Sequence, residues 1–318
     1  MKKDKIPFIA VVGPTASGKT SLSIALASLY GAEIISADSM QIYKGMDIAT
    51  AKPSKDEMQG IPHHLIDFVD ISSKYSVAQY LSNARRCISD IHSRGKKIIV
   101  VGGTGLYINS LIDNIQFDVE AENELRTELI SEADKFGGAH MLSELNKLDP
   151  EYAASLHEND ITRIIRGIEI NRLFGHTMNE HKRLSRECES PYDVCMLGIN
   201  FRDRQKLYDR IDRRVEIMLE SGLEEEAKFF FDKLDNSKTA VQAIGYKELF
   251  PYLEGEISLD EAVENLKKAT RNYAKRQLTW FRKDTRIHWI YADEMDEKEI
   301  ISQAKSVCDL FYSNSEIS

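Results

Sequence analysis

The 318-residue sequence predicts an α/β fold, a parallel-sheet core with an inserted helical domain. Three observations carry this expectation. Short β-branched runs alternate with amphipathic stretches in the N-terminal part, the pattern of a doubly wound parallel sheet. From about Gln116 to Arg186 the apolar spacing is helical throughout. An apolar run then returns at 194–201, as if an interrupted core were resumed.

Taken in order, residues 8–12 read as a buried strand ending at Gly13, and a helix runs from Lys19 to about Leu29 on Leu22, Ala25, Leu26 and Leu29. Strands are expected at 33–36, 65–69 and 97–101, the last closed by Gly102 and Gly103. A helix bearing Val77, Leu81, Ala84 and Ile88 precedes that strand. Leu125, Leu129 and Ala133, then Ile161, Ile164, Ile165 and Ile168, mark the helices of the insertion. Strand 194–201, helices over 202–253 and a final strand at 288–291 complete the core. The expected division is 1–116 and 191–318 for the core and its basic C-terminal helices, with 117–190 inserted.

Composition narrows the class. Hydrophobic residues at 42% and charged residues at 29% exclude wholesale disorder. No apolar run approaches the roughly 18–20 residues of a membrane span, and residues 6–12 are too short for a signal peptide. Cys87, Cys188, Cys195 and Cys308 form no CxxC pair, so a reduced cytoplasmic setting without a zinc site or disulfide framework is expected. The net charge of −9 conceals two basic segments, +7 over 267–286 and +4 over 161–186. A basic stripe on an acidic body suggests a localised polyanion surface, although solvated helix faces would look the same.

The sharpest motif is Gly13-Pro14-Thr15-Ala16-Ser17-Gly18-Lys19-Thr20, a full GxxxxGK[ST] loop between a strand and a helix. Its amides and the helix N-terminus suit phosphate oxygens, Lys19 adds positive charge, and the Thr20 hydroxyl can complete a Mg²⁺ shell. The strand at 97–101 ends in Gly102-Gly103-Thr104-Gly105, without the Asp an ordinary NTPase uses there to hold Mg²⁺. Asp38, beyond the second strand, would face the same crevice and suits a general base, or simply caps the following turn.

Together with GMDIATAKP at 45–53, PHHLID at 62–67, NDITRIIRGIEI at 159–170, QAIGYKEL at 242–249 and TRNYAKRQLTWFRKD at 270–284, these blocks resemble the bacterial-type tRNA dimethylallyltransferases. The blocks keep the family's order to about residue 290, with Ala49 standing where glycine is expected. The resemblance implies that dimethylallyl diphosphate occupies the loop at Gly13, Thr15, Ala16, Ser17, Gly18, Lys19 and Thr20, with Mg²⁺ as cofactor and Arg214 assisting. It implies Asp38 as base toward the N6 amine of adenosine 37 of a tRNA, with Thr104 and Arg126 aiding the transition state. Implied tRNA contacts are Asp38, Ser39, Met40, Gln41, Thr162, Arg163, Ile164, Ile165 and Arg166. The basic stripe adds Lys275, Arg276 and Arg282 as backbone contacts, and a monomer is expected. Bland alternatives stand beside these: Arg214 paired with Asp209 or Asp212, Arg126 paired among Glu122, Glu124 and Glu128, and, in the basic stripe that would offer Tyr273, Trp280 and Phe281 to the RNA, Tyr273, Leu278 and Trp280 as residues packing the helix onto the core. His63 and His64 read as turn or core residues. A small-molecule or nucleotide kinase, a prenyltransferase of free adenine nucleotides, and a GTPase-like RNA-binding switch are the competing functions. The kinase leaves the basic stripes without a role, and no NKxD motif supports the switch.

Overall fold

The computed structural model describes residues 5–116, 123–231, 240 and 243–315. It divides into two units, Met1–Ile112 with Pro191–Ser318, and Asp113–Ser190. The first is a six-stranded sheet in the order β3-β2-β4-β1-β5-β6, parallel at every pairing. Its strands are β1 (Ile6–Val12), β2 (Glu33–Ser36), β3 (His63–His64), β4 (Ile98–Gly102), β5 (Tyr192–Asn200) and β6 (Ile287–Tyr291). Phe8 to Val12 are fully buried, which is why this strand reads as a continuous apolar run rather than an alternating one.

Helices α1 (Lys19–Tyr30), α2 (Val77–Ser93) and α3 (Gly105–Ile112) follow the first strands, and four more belong to the insertion. Those four are α4 (Asn123–Leu148), α5 (Pro150–Ala153), α6 (Ile161–Phe174) and α7 (Met178–Leu184). After β5 come α8 (Arg204–Glu220), α9 (Leu223–Phe231), α10 (Tyr246–Leu253), α11 (Leu259–Phe281) and, beyond β6, α12 (Glu297–Ser315). One apolar core joins Leu22 and Leu26 of α1 and Ala304 and Cys308 of α12 to Ile9, Ile34 and Leu197 of the sheet. A second gathers Val215, Leu223, Tyr246 and Leu266 around Tyr43 and Met46.

The third strand lies earlier than the expected 65–69. Leu65 and Asp67 adopt positive φ, 59° and 54°, so extended pairing cannot continue past His64. Val69 makes only an isolated parallel bridge to Tyr43. Residues 232–239, 241 and 242, within the helical stretch expected over 202–253, lie outside the described residues, as do 117–122 at the start of the insertion.

The insertion has its own core of Leu129, Met141, Leu145, Ile164 and Ile168, and no strand among its described residues. Gly137, at φ 82°, breaks α4 in the middle. At the neck, Gln116 N–H donates to Ser185 O at 3.0 Å and Asn114 Nδ2 to Glu189 O at 3.2 Å.

The sheet order positions the site. Strands β2, β4 and β1 are adjacent, with Ser36 paired to Val101 and Val12 to Gly102. Their carboxyl ends therefore coincide, and the loops that leave them open side by side at one edge of the sheet.

Candidate active site

Three segments separated in sequence leave these strand ends: Gly13–Thr20, Asp38 with its neighbours, and Gly103–Thr104. Thr15, Lys19 and Thr20 of the first, Asp38 to Gln41 of the second and Gly103 of the third line a cavity of about 350 Å³ with residues of α8 and α11, and Thr104 stands just behind that wall, against Ser39. Gly18, in the left-handed region at φ 99°, precedes the first residue of α1, with no side chain accepting the first amides of the helix and no acid in its first turn. Those amides and the positive end of the helix are what an anion would meet. Gly13 holds φ 147°, and a Cβ there would lie 2.5 Å from Ile199 O, so only glycine lets the loop pass β5 this closely.

Four cations line this cavity, Lys247 and Arg276 exposed and Lys19 and Arg214 more enclosed. Lys19 Nζ donates to Pro14 O at 2.7 Å. Burial, helped by the nearby Arg214 guanidinium, pushes Lys19 down to about 7 against the opposing pull of Asp38. Arg214 is also lowered by burial, with Asp38 and Glu57 opposing. Asp212 instead pairs with Arg271 at 2.6 Å, and Asp209 accepts from Gln205 Nε2 at 2.8 Å, so neither same-helix pairing considered for Arg214 is what occupies those acids. Desolvating two cations side by side is costly unless an anion compensates them. Ile211, Val215 and Met218 share the face of α8 that carries Arg214, by the three- and four-residue spacing of a helix, and line the cavity too. The wall thus combines an anion site with hydrocarbon.

Asp38 Oδ1 accepts from Met40 N at 2.8 Å and Gln41 N at 3.2 Å, which closes a tight turn. Thr104 Oγ1 accepts from Ser39 N at 3.1 Å, tying the Asp38 turn to the end of β4. The turn-capping role and a place on the cavity wall are therefore both realised in Asp38. His63 lines the same cavity; its Nδ1 lies 2.8 Å from Ile61 O, and burial lowers its pKa. His64 instead pairs with Glu33.

Helix α11 closes one side. Of the eight cations of 267–286, five on this helix and three beyond it, Lys267 pairs with Glu264 and Glu216, Arg271 with Asp212, and Arg286 with Asp284. Lys268, Lys275, Arg282 and Lys283 are exposed. Arg276, expected with Lys275 and Arg282 on the outer surface, also lines the cavity. Trp280 has its Nε1 donating to Asn109 Oδ1 at 3.1 Å and remains 44% exposed, so it is only in part the packing residue considered above. Tyr273, whose pKa burial raises, lines the cavity as well.

Two contributors were not legible beforehand. Gln277, buried on α11, bridges the first loop and Gly103. Glu226 of α9 receives Asp47 N at 3.0 Å, Ile48 N at 2.8 Å and Ala49 N at 2.9 Å, and also the Tyr246 hydroxyl at 2.7 Å. One carboxylate thereby pins the segment in which alanine replaces the expected glycine. Ala49 itself has no positive φ, so its methyl imposes no strain there. Gln277 sits inside a run whose other signals were all cationic, and Glu226 within a run of three acids. A helical wheel placing Gln277 one turn after Tyr273 is the only cue the sequence offered for either.

Within the insertion, Arg126 Nε lies 2.7 Å from Glu169 Oε1 and Arg166 Nη1 lies 3.3 Å from Glu169 Oε2. The Arg126 partner is thus a fully buried carboxylate on α6; Glu122, one of the neighbours considered for it, lies outside the described residues. Thr162 and Arg163 are exposed. Ile164 and Ile165 belong to the core of the unit, so as RNA contacts they could offer only backbone; helical periodicity turns them inward while Thr162 and Arg163 face out.

The model of the IPP transferase family matches residues 41–284. The chain belongs to this family. It is 47% identical over 300 residues to the tRNA dimethylallyltransferase of Thermoanaerobacter sp. (strain X514), covering 92% of this chain and 94% of that one. To the protein of the same name from Bacillus subtilis (strain 168) it is 45% identical over 316 residues, 98% and 100% of the two chains. Among solved structures, it is similar to the full-length tRNA isopentenylpyrophosphate transferase of Bacillus halodurans, at TM-score 0.74 and 41% identity over 98% of each chain. It is also similar to a eukaryotic dimethylallyltransferase acting on tRNA, at TM-score 0.84 and 30% identity over 97% of this chain and 80% of that one. As a member of the tRNA dimethylallyltransferase family, the chain is a prenyl transferase with a six-stranded parallel sheet. No helix among the described residues is long and apolar enough to cross a membrane.

Proposed function

We propose that this protein transfers the dimethylallyl group of dimethylallyl diphosphate to N6 of adenosine 37 in a tRNA anticodon loop, releasing diphosphate. The carrying observation is the cavity in which Lys19, Arg214 and the uncapped start of α1 share a wall with the apolar row of α8 and with Asp38. A short hydrocarbon ester of diphosphate needs both halves of that wall.

In this reading the N6 lone pair attacks the allylic carbon, the carbon–oxygen bond breaks, and the bonding pair leaves with diphosphate. Lys19, Arg214 and the loop of Gly13, Thr15, Ala16, Ser17, Gly18 and Thr20 stabilise the charge that grows on the leaving oxygen. Asp38 accepts the N6 proton, and Thr104 holds the Asp38 turn while donating toward the reacting groups. Arg126, anchored by Glu169, assists in the transition state. The adenine must leave its stack to reach Asp38, and an anticodon loop lowers the cost of that step. Ser39, Met40, Gln41, Thr162, Arg163, Arg166 and the backbone at Ile164 and Ile165 would meet the loop, with Lys275 and Arg282 on its phosphates and Arg276 near the cavity.

Mg²⁺ suits the residues present. It binds readily through one or two protein oxygens plus substrate phosphates, and the Thr20 hydroxyl on the cavity wall supplies such an oxygen. Among the described residues no group of three or more His, Cys, Asp or Glu could hold a metal by itself, which fits a substrate-borne ion better than a protein cage. When bound it would add positive charge at the diphosphate. The protein would act as a cytoplasmic monomer.

The deciding assay incubates the protein with dimethylallyl diphosphate, Mg²⁺ and unmodified tRNA, followed by nucleoside analysis. Prenyladenosine should form without ATP. Asp38→Asn keeps an acceptor for Met40 and Gln41 but loses basicity, so turnover should drop about 10²–10⁴-fold with tRNA affinity retained. Near-wild-type turnover in that variant would remove Asp38 from the role of base.

A further inference from the structure

Gln277 is one of few buried polar side chains in the core unit, 5% exposed. Its two amide atoms are engaged by different strand ends. Thr15 N–H donates to Oε1 at 2.8 Å, and Nε2 donates to Gly103 O at 3.0 Å. The donor and acceptor demands fix the amide in one orientation. The contact is close enough that a Cβ on Gly103 would fall 2.1 Å from Nε2, so the glycine serves the approach of this side chain. One turn earlier on the same helix, Tyr273 lines the same cavity. Helix α11 therefore grips the phosphate loop and Gly103 with one face, while Lys268 and Lys275 stand exposed on the rest.

We propose that Gln277 is a positioning residue that fixes the phosphate loop against the Gly103–Thr104 turn. It does so by accepting from the Thr15 amide, which ties down the first turn of the loop, and by anchoring the carbonyl next to Thr104. Leaving-group site and base turn are thereby held at one separation, and misplacement of reacting groups by about 1 Å can cost on the order of 10²-fold in rate. The proposal rests on the activity given under Proposed function.

The test uses the full chain with Gln277→Met and Gln277→Glu. Gln277→Met keeps the volume and removes both hydrogen bonds. Its kcat should fall about 10–100-fold, and its affinity for inorganic diphosphate with Mg²⁺, read by calorimetry, about tenfold, while KM for the tRNA stays within about threefold. A carboxylate introduced by Gln277→Glu can accept from Thr15, but donates to Gly103 O only when protonated. The titratable and charged groups that line the same cavity are Lys19 of the phosphate loop, Asp38 of the neighbouring turn, His63 of β3, Arg214 of α8, Lys247 of α10, and Tyr273 and Arg276 of α11. These act equally in the wild type, so the ratio of variant to wild-type kcat isolates the introduced group. Burial and bound diphosphate raise its pKa, and the ratio should climb as pH falls from 8.5 to 5.5. In Gln277→Met the ratio should stay flat.

Unchanged kcat and diphosphate affinity in a folded Gln277→Met protein would overturn the proposal. So would a loss confined to KM for tRNA, which would make Gln277 an RNA contact, or a flat pH ratio for Gln277→Glu. Should the wild type bind diphosphate yet transfer nothing to tRNA, the activity reading would fall alone. Gln277 would then be judged on diphosphate affinity.

Discussion

Lys19 and Arg214 show how far a single side chain could be read in advance. Lys19 was legible because its partners in function are its chain neighbours: the loop that places it is contiguous, and its spacing is the signal. Arg214 sits on the same cavity wall, but its own neighbours showed only same-helix acids that turn out to be engaged elsewhere, and the family resemblance alone pointed to it. Gln277 meets Thr15 across a separation of 262 residues, and nothing local marks a side chain that acts at that distance. For the cations the expected outcome is asymmetric. Lys19→Ala should lower kcat/KM by about 10²–10³-fold, since the charge it faces grows toward the transition state. Arg214→Lys should lose less, because a point charge survives even where the guanidinium fork does not. Steady-state kinetics with varied dimethylallyl diphosphate separate the two; equal losses would show that Arg214 acts through its shape rather than its charge.

At the scale of elements, α11 divides its labour between faces. Its inward residues, Ala274, Gln277, Leu278 and Phe281, are buried, and ion pairs already neutralise Lys267 and Arg271. The +7 read from the sequence therefore overstates the charge available to a ligand. Lys268, Lys275, Arg276, Arg282 and Lys283 remain exposed, and of these Arg276 also shares the cavity wall. Replacing Lys268, Lys275 and Arg282 by Gln should weaken tRNA binding. It should also flatten the slope of log affinity against log salt by about 0.7–0.9 for each RNA phosphate that no longer meets a cation. Affinity for dimethylallyl diphosphate should be unaffected. A salt titration of both variant and wild type gives the answer, and superimposable slopes would place the RNA surface elsewhere. The strands with strong apolar runs were legible at this scale. The third was not, because a two-residue strand carries no periodicity, and the apolar residues after it serve a turn whose positive φ values composition does not announce.

For the whole molecule, the alternation of strands and helices with a helical interruption was enough to fix the architecture, whereas stability rests partly on a feature without any pattern. Glu33, buried at the start of β2, bonds Arg94 through both carboxylate oxygens and His64 at 2.7 Å. The Arg94 guanidinium holds its carboxyl down at about 2. A carboxyl depressed on folding contributes stability that is complete above its unfolded value near 4.5 and disappears as pH falls toward 2. Glu33→Gln should cost about 2–3 kcal/mol near neutrality. The difference between variant and wild type should vanish across that acid window, as urea midpoints measured from pH 7 to 2 would reveal. Strand order has a consequence of another kind, for the newborn chain. β1 leaves the ribosome first and pairs with β4 on one flank, but its other flank waits for β5, on the far side of the insertion. At about 5–20 residues per second, the segment from Gly102 to Tyr192 takes roughly 5–20 s to emerge. During that interval the most apolar strand of the protein has an unpaired edge, the kind of template on which other chains assemble. An insertion that condenses on its own core, with its neck closed by Gln116 and Asn114, shortens the search that ends this exposure. Chains stalled just short of Tyr192 should accordingly recruit chaperones, and weakening the insertion core should lengthen the time that full-length chains remain bound to them.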